Sequence, residues 1–178
     1  MRGIPPARHN RVVAKNSKRA SHGTPAVVTL EKSGLPHTLH PYEHDPASDL
    51  SYGMEAAQAI GADPGQVFKT LLADVDGALV VGIVPVDRKL DLKALARAAG
   101  GKKAAMADPA AAERATGYVV GGISPLGQKT RHRTVLDESA AAFDVVYVSG
   151  GRRGLDVGLT PSDLLTLTGG TTAPIARD

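Results

Sequence analysis

Apolar positions along this chain fall into short periodic runs punctuated by glycine and proline, and the period differs from run to run. Val27 and Leu30 recur at helical spacing behind Thr24-Pro25, an N-cap residue before a first-turn proline, and Gly34 stops the run. A helix is predicted over 25–33. Ser51 caps a second run through Met54, Ala57 and Ile60 that closes at Gly61. Asp91 caps a third with Leu92, Leu95, Ala96 and Ala99 on one face, and Lys93 and Arg97 opposite. Asp108-Pro109 opens a fourth through Ala115, ending at Gly117, and Thr160-Pro161-Ser162-Asp163 caps the last, with Asp163 placed to complete a capping box.

Strand-like runs lie between these helices. His37 to Tyr42 reads as extended, ended by Pro41. Residues 67–73 and 78–85 are β-rich runs joined at Asp76-Gly77, a hairpin signal. Thr134-Val135-Leu136 and Val145 to Val148 are short strands, and Gly150 to Gly154 turns the chain into Leu155 to Leu159. Tyr118-Val119-Val120 reads as an apolar strand entering a loop shaped by Gly121, Gly122, Pro125 and Gly127. Helices and strands interleave without strict βαβ regularity or an internal repeat. The pattern predicts an α+β (mixed α/β) domain around one sheet.

Length and composition narrow this picture. With 178 residues, 42% hydrophobic and 22% charged, the chain suits one soluble globular domain. Aromatics are 3%, so Val, Leu, Ile and Ala must build the core. Cysteine is absent, which excludes disulfides, thiolate metal sites and a cysteine nucleophile. With no run long enough to span a bilayer and no apolar signal-peptide centre, the cytoplasm is the expected compartment.

The net charge of +3 is unevenly distributed. Residues 1–22 hold Arg2, Arg8, Arg11, Lys15, Lys18 and Arg19 with no acid, and the remainder carries 15 basic against 18 acidic residues, a net of −3. That segment is expected to be a disordered extension, either attracting RNA phosphates or simply solubilising. The domain is expected over 23–168, with 169–178 as a tail.

Candidate chemistry centres on the glycine-rich stretch and Lys69. Paired glycines beside Ser124-Pro125 can aim several N–H groups at a carbonyl oxygen or phosphate, or can merely make a tight turn. Gly122 to Thr130 approaches a phosphate-binding P-loop, but Gln128 displaces Lys129 from its required place after the second glycine and no helix follows, so nucleotide hydrolysis is rejected. His37, His40 and His44 have the wrong spacing for a metal site on a strand. Lys69 shares a strand face with Val67 and Leu71, so it must reach water at the sheet edge, a carboxylate or an anionic ligand. Arg152 and Arg153, at a glycine-rich hairpin tip, are either phosphate contacts or solvated turn charges.

Several ordered blocks then resemble one family: Val67-Phe68-Lys69-Thr70-Leu71, Leu90-Asp91-Leu92-Lys93, Met106-Ala107-Asp108-Pro109, Thr116 through Lys129, and Tyr147 through Leu155, with Tyr42-Glu43-His44-Asp45 upstream. They are similar to the YbaK-type Cys-tRNA(Pro) deacylases, relatives of the editing domain of bacterial prolyl-tRNA synthetases, from about Thr24 to about Leu165. The chain departs from the family in its basic segment before Thr24 and in a short turn over 74–77.

The resemblance implies a mixed sheet surrounded by helices and a trans-editing activity that removes cysteine from mischarged tRNA(Pro). It implies no metal, no cofactor and no protein nucleophile; the substrate's thiol attacks its own ester carbonyl. The partners it implies are the acceptor end of the tRNA and, transiently, prolyl-tRNA synthetase, with neither membrane nor DNA. At Lys69 the resemblance places a cation for the terminal phosphate or the carbonyl oxygen, and at Gly121 and Gly122 backbone N–H groups for the ester. Tyr42 and Ser149 shape the aminoacyl pocket, with Phe68, Thr70, Ile123, Ser124, Pro125 and Arg152 as further substrate-binding positions. Asp156 matches a family acid orienting a partner near Lys69; from the residues alone it reads as an exposed strand carboxylate. Two alternatives stand beside this: a water-using deacylase for Ala-tRNA(Pro), and a non-catalytic RNA- or synthetase-binding module.

Overall fold

The computed structural model describes residues 23–178. The expectation for the basic segment 1–22 lies outside them.

Five helices begin where a side-chain oxygen meets an orphan backbone N–H. Thr24 accepts from the Val27 N–H at the start of α1 (Pro25–Ser33), and Ser51 from Met54 at the start of α2 (Tyr52–Ile60). Asp91 accepts from Ala94 for α3 (Leu92–Ala98), Asp108 from Ala111 for α4 (Pro109–Thr116), and Thr160 from Asp163 for α5 (Pro161–Thr168). Left-handed glycines at 34, 61, 117 and 169 close all but α3, whose C-cap is Ala99.

The central sheet has five strands in the order β5 (Ala104–Met106), β2 (Phe68–Val75), β3 (Ala78–Pro85), β6 (Arg133–Asp137) and β9 (Thr171–Ala173). β2 is antiparallel to both β3 and β5, whereas β3, β6 and β9 run parallel. Asp76 and Gly77 both have positive φ, the conformation a two-residue hairpin turn requires. A second sheet places β8 (Leu155–Leu159) between β1 (Thr38–Pro41) and β7 (Val146–Arg152), all antiparallel. A bridge between Val67 and Tyr147 joins it to the first. β4 (Lys89–Leu90) pairs with β10 (Ala176–Arg177).

Strand alternation sorts the core into two layers. Phe68, Leu72, Val81, Ile83 and Leu136 face the second sheet, α1 and α5. Ala73, Val75, Val80, Val84 and Val135 pack on Leu95 and Ala96 of α3.

Three expectations are corrected. Tyr118-Val119-Val120 is not a strand: Gly117 ends α4 in a left-handed conformation, Tyr118 turns inward to donate its hydroxyl to Leu126 O, and Val119 to Gly122 make a turn closed by a 2.9 Å bond. Asp156 is not an exposed carboxylate but retains only 5% exposure. Residues 169–178 do not behave as a tail, because they supply β9, β10 and Ile175, which is fully buried beside Leu90 and Leu95.

Candidate active site

A cleft of about 320 Å³ opens at the N-terminal ends of β2 and α2, between the glycine loop, the β5–α4 connection and the β7–β8 pair. That size suits a small acyl group rather than a macromolecular surface. Its walls are mostly apolar, from Phe68, Leu72, Val86, Ala107, Ala112 and Ile123.

Polar groups arrive from separate elements. Lys69, between Phe68 and the buried Thr70 on β2, is half-buried and lines the cleft. Burial lowers the Lys69 pKa, Asp87 opposes that shift, and Lys89 adds to it. Among the described residues no carboxylate forms an ion pair with Lys69. A desolvated cation in that position favours an anionic or charge-developing ligand.

Ser149 and Asp156 are cross-strand partners on β7 and β8, and both line the cleft. Burial pushes the Asp156 carboxyl up to about 7, so both protonation states are populated near neutrality. Tyr42, anchored by its N–H to Gly154 O at 2.8 Å, also lines the cleft. Its phenol is raised to about 12, first by burial and then by the neighbouring Asp156 charge.

The glycine loop contributes Val120, Gly121 and Ile123. Gly121 has φ 89°, and a Cβ there would lie 2.8 Å from the Tyr52 ring and 2.9 Å from Arg153 Nε. Arg153 donates from Nε and Nη2 to Val120 O, at 3.0 and 2.7 Å, and sits 4.7 Å above the Tyr52 ring. Tyr52 in turn meets His44, which is bonded to Glu55 Oε1 at 2.8 Å. The hairpin tip of the second sheet therefore clamps the loop against the start of α2.

Of the positions expected from sequence, Tyr42, Phe68, Lys69, Thr70, Gly121, Ile123, Ser149 and Asp156 meet at this cleft. Gly122, Ser124, Pro125 and Arg152 do not line it. The Gly122 N–H is already bonded to Val119 O, and a Cβ there would lie 2.8 Å from Arg152 Cα, so this glycine serves close packing rather than a ligand. Ser124 is fully buried, its Oγ accepting from Leu126 N–H. Arg152 turns toward the β7–β8 tip, donating to Arg153 O at 3.0 Å. Sequence reasoning missed Ser51, Tyr52, Gly53, Val86 and Met106 as lining positions. The available signal was Tyr52, one of only six Phe and Tyr residues in the chain, at the first position of a helix.

Comparison with known proteins shows the family of the chain. The chain is 36% identical over 160 residues to a protein of Enterococcus faecalis (strain V583), EbsC, named as a Cys-tRNA(Pro)/Cys-tRNA(Cys) deacylase, covering 89% of this chain and 96% of that one. A solved structure described as a trans-editing enzyme for prolyl-tRNA synthetase superposes with a TM-score of 0.76 at 28% identity, over 86% of this chain and 96% of its own. A hypothetical protein at 23% identity, with the same TM-score and 99% of its length covered, shares the fold. Residues 49–167 match the aminoacyl-tRNA editing domain, and the chain belongs to that family.

Proposed function

We propose that this protein is a trans-editing deacylase that clears cysteine from mischarged tRNA(Pro). The observation that carries the reading is the half-buried Lys69, without an ion-pair partner among the described residues, sharing one cleft with the Gly121 turn and the buried Asp156. A relative's name and the family's chemistry supply the substrate class.

The chain has no cysteine, and among the described residues no histidine lines the cleft to activate Ser51, Thr70 or Ser149. The substrate's own thiol then serves as nucleophile. Its sulfur bonds to the ester carbonyl carbon, the bond from that carbon to the terminal ribose oxygen breaks, and the thiol proton passes to the ribose oxygen. The products are free tRNA and a four-membered cysteine thiolactone. Lys69 stabilises charge on the carbonyl oxygen, and Asp156, near its pKa at neutral pH, relays the proton. Tyr42 and Ser149 hold the aminoacyl group. Orientation does much of the work, since an intramolecular attack needs only a near-attack geometry.

Asp156 also supports a second reading, in which it activates water against Ala-tRNA(Pro). Single-turnover deacylation of Cys-, Ser- and Ala-charged tRNA(Pro), by the parent and by Lys69→Ala, separates the two. Thiol assistance predicts that the Cys ester is cleared much faster than the near-isosteric Ser ester, and that Lys69→Ala loses about a hundredfold or more while remaining folded. Equal rates on all three esters would establish activated water instead.

A further inference from the structure

Tyr52, Met106 and Val120 line the cleft yet remain 40%, 50% and 39% exposed. Leu50 and Val119, also exposed, directly precede the lining residues Ser51 and Val120. Among the described residues the one other exposed large hydrophobic is Val28, on α1. Exposed apolar surface is thus concentrated on the mouth of one cleft, where it marks a contact for something outside it.

The rim is held by contacts within the chain. Arg153 lies over the Tyr52 ring and is itself fixed by two bonds to Val120 O. Met106 stands at the end of β5, whose register against β2 is held by the Ala73, Asp74 and Val75 pairings. An apolar seat with a guanidinium at its side matches a flat heterocycle carried on a polyanion.

Chemistry sets what can reach it. An aminoacyl ester hangs from the terminal ribose of an RNA, and the terminal base is attached to that same five-membered ring. With the acyl group inside the cleft, the base must lie within a few ångströms of its mouth. A protein partner is the weaker candidate, since a standard interface buries about 800 Å² per side, more than these few side chains present.

We infer that Tyr52, Met106 and Val120 form a seat for the unpaired terminal base at the 3′ end of the RNA, separate from the pocket for the acyl group. The inference rests on the deacylase reading for its choice of RNA. Arg153 acts here as a positioning residue for Tyr52 and the Val120 turn.

The test uses the full chain and a dye-labelled acceptor-stem hairpin with a single-stranded 3′ end, carrying either its natural terminal base or an abasic terminal nucleotide. Binding is followed by fluorescence anisotropy for the parent, Tyr52→Ala and Met106→Ala, each checked by thermal unfolding. Met106→Ala lies outside the Arg153 clamp, so it keeps the test valid if Tyr52→Ala perturbs the loop. The parent should prefer the natural end. Each variant should lose about 5- to 150-fold in affinity for that end and keep the parent's affinity for the abasic one. Equal parent affinity for both ends, no binding to either, or variants that weaken both ends alike would overturn the seat. Unchanged RNA binding in both variants would overturn it too, and would turn attention to a protein partner. Deacylation of the charged hairpin, measured in parallel, isolates the functional reading: cleavage without base dependence removes the seat alone, and base-dependent binding without cleavage removes the deacylase reading alone.

Discussion

Two buried aspartates of this protein face opposite circumstances. The Asp137 carboxylate receives N–H groups from Ser139, Ile175 and Ala176, whereas no hydrogen bond within the described residues reaches the Asp156 carboxylate. The pKa of Asp156 therefore rises to about 7 from 3.8, with burial as its cause. Between those values the folded chain holds a proton that the unfolded chain releases, so this group's contribution is complete below about pH 4, falls as pH rises to about 7, and is flat above. A shift of that size corresponds to an effect on the order of a few kcal/mol. Asp156→Asn cannot ionise; urea unfolding at pH 5 and pH 8 should show a smaller stability difference than in the parent, with the variant the more stable at pH 8. A parent whose stability rises across that window would place a cation against Asp156 instead. Lys69 was legible because two-residue alternation placed it among apolar neighbours. The burial of Asp156 was not, since β8 is covered on one side by the local hairpin partner β7 but on the other by β1, more than a hundred residues away in the chain.

At the scale of elements, capping made the helices readable. Each starts at a Ser, Thr or Asp whose oxygen takes an N–H three residues on, a signal contained in four consecutive residues. The glycine loop has no such local rule. Val120 lines the cleft and Val119 is exposed beside it, yet such an apolar pair has the same sequence pattern as an apolar pair in a strand. Its two glycines also differ for reasons only the fold reveals. A Cβ on Gly121 would meet the Tyr52 ring and Arg153 Nε, whereas one on Gly122 would lie 2.8 to 2.9 Å from the backbone of Arg152 and Arg153, which cannot rotate away. Gly122→Ala should therefore push the loop from β7, lowering stability by about 1–3 kcal/mol and raising the half-saturating tRNA concentration in deacylation. Thermal unfolding alongside a substrate titration checks both. Unchanged values in both would show that the loop and β7 separate freely.

The whole molecule closes through residues 171–177, whose pattern carries the least warning of it. Thr171-Thr172-Ala173 has neither alternation nor length, yet it extends the central sheet parallel to β6. Two residues later, Ile175 enters the layer formed by Leu90, Leu95 and Val135. Its N–H and that of Ala176 both donate to Asp137 Oδ1 at 2.9 Å, which ties the C-terminal segment to the end of β6. Asp91 N–H donates to Ile175 O at 2.7 Å, tying the same segment to the start of α3. Replacing Ile175 with alanine removes buried side-chain volume while leaving these backbone bonds, and should cost about 2–5 kcal/mol. Ending the chain at Gly170 should cost more, because it also removes β9 and leaves a buried carboxylate oxygen without its two donors, a penalty of about 1–3 kcal/mol in its own right. Urea unfolding of the parent, Ile175→Ala and the truncated chain should give that order of midpoints. The cleft lies on β2, separated from β9 by two strands of the central sheet, so deacylation per folded Ile175→Ala molecule should match the parent. A truncated chain as stable as the parent would restore the view of these residues as a tail. A stable Ile175→Ala with impaired turnover would instead show that the layer beneath the sheet sets the geometry of the cleft.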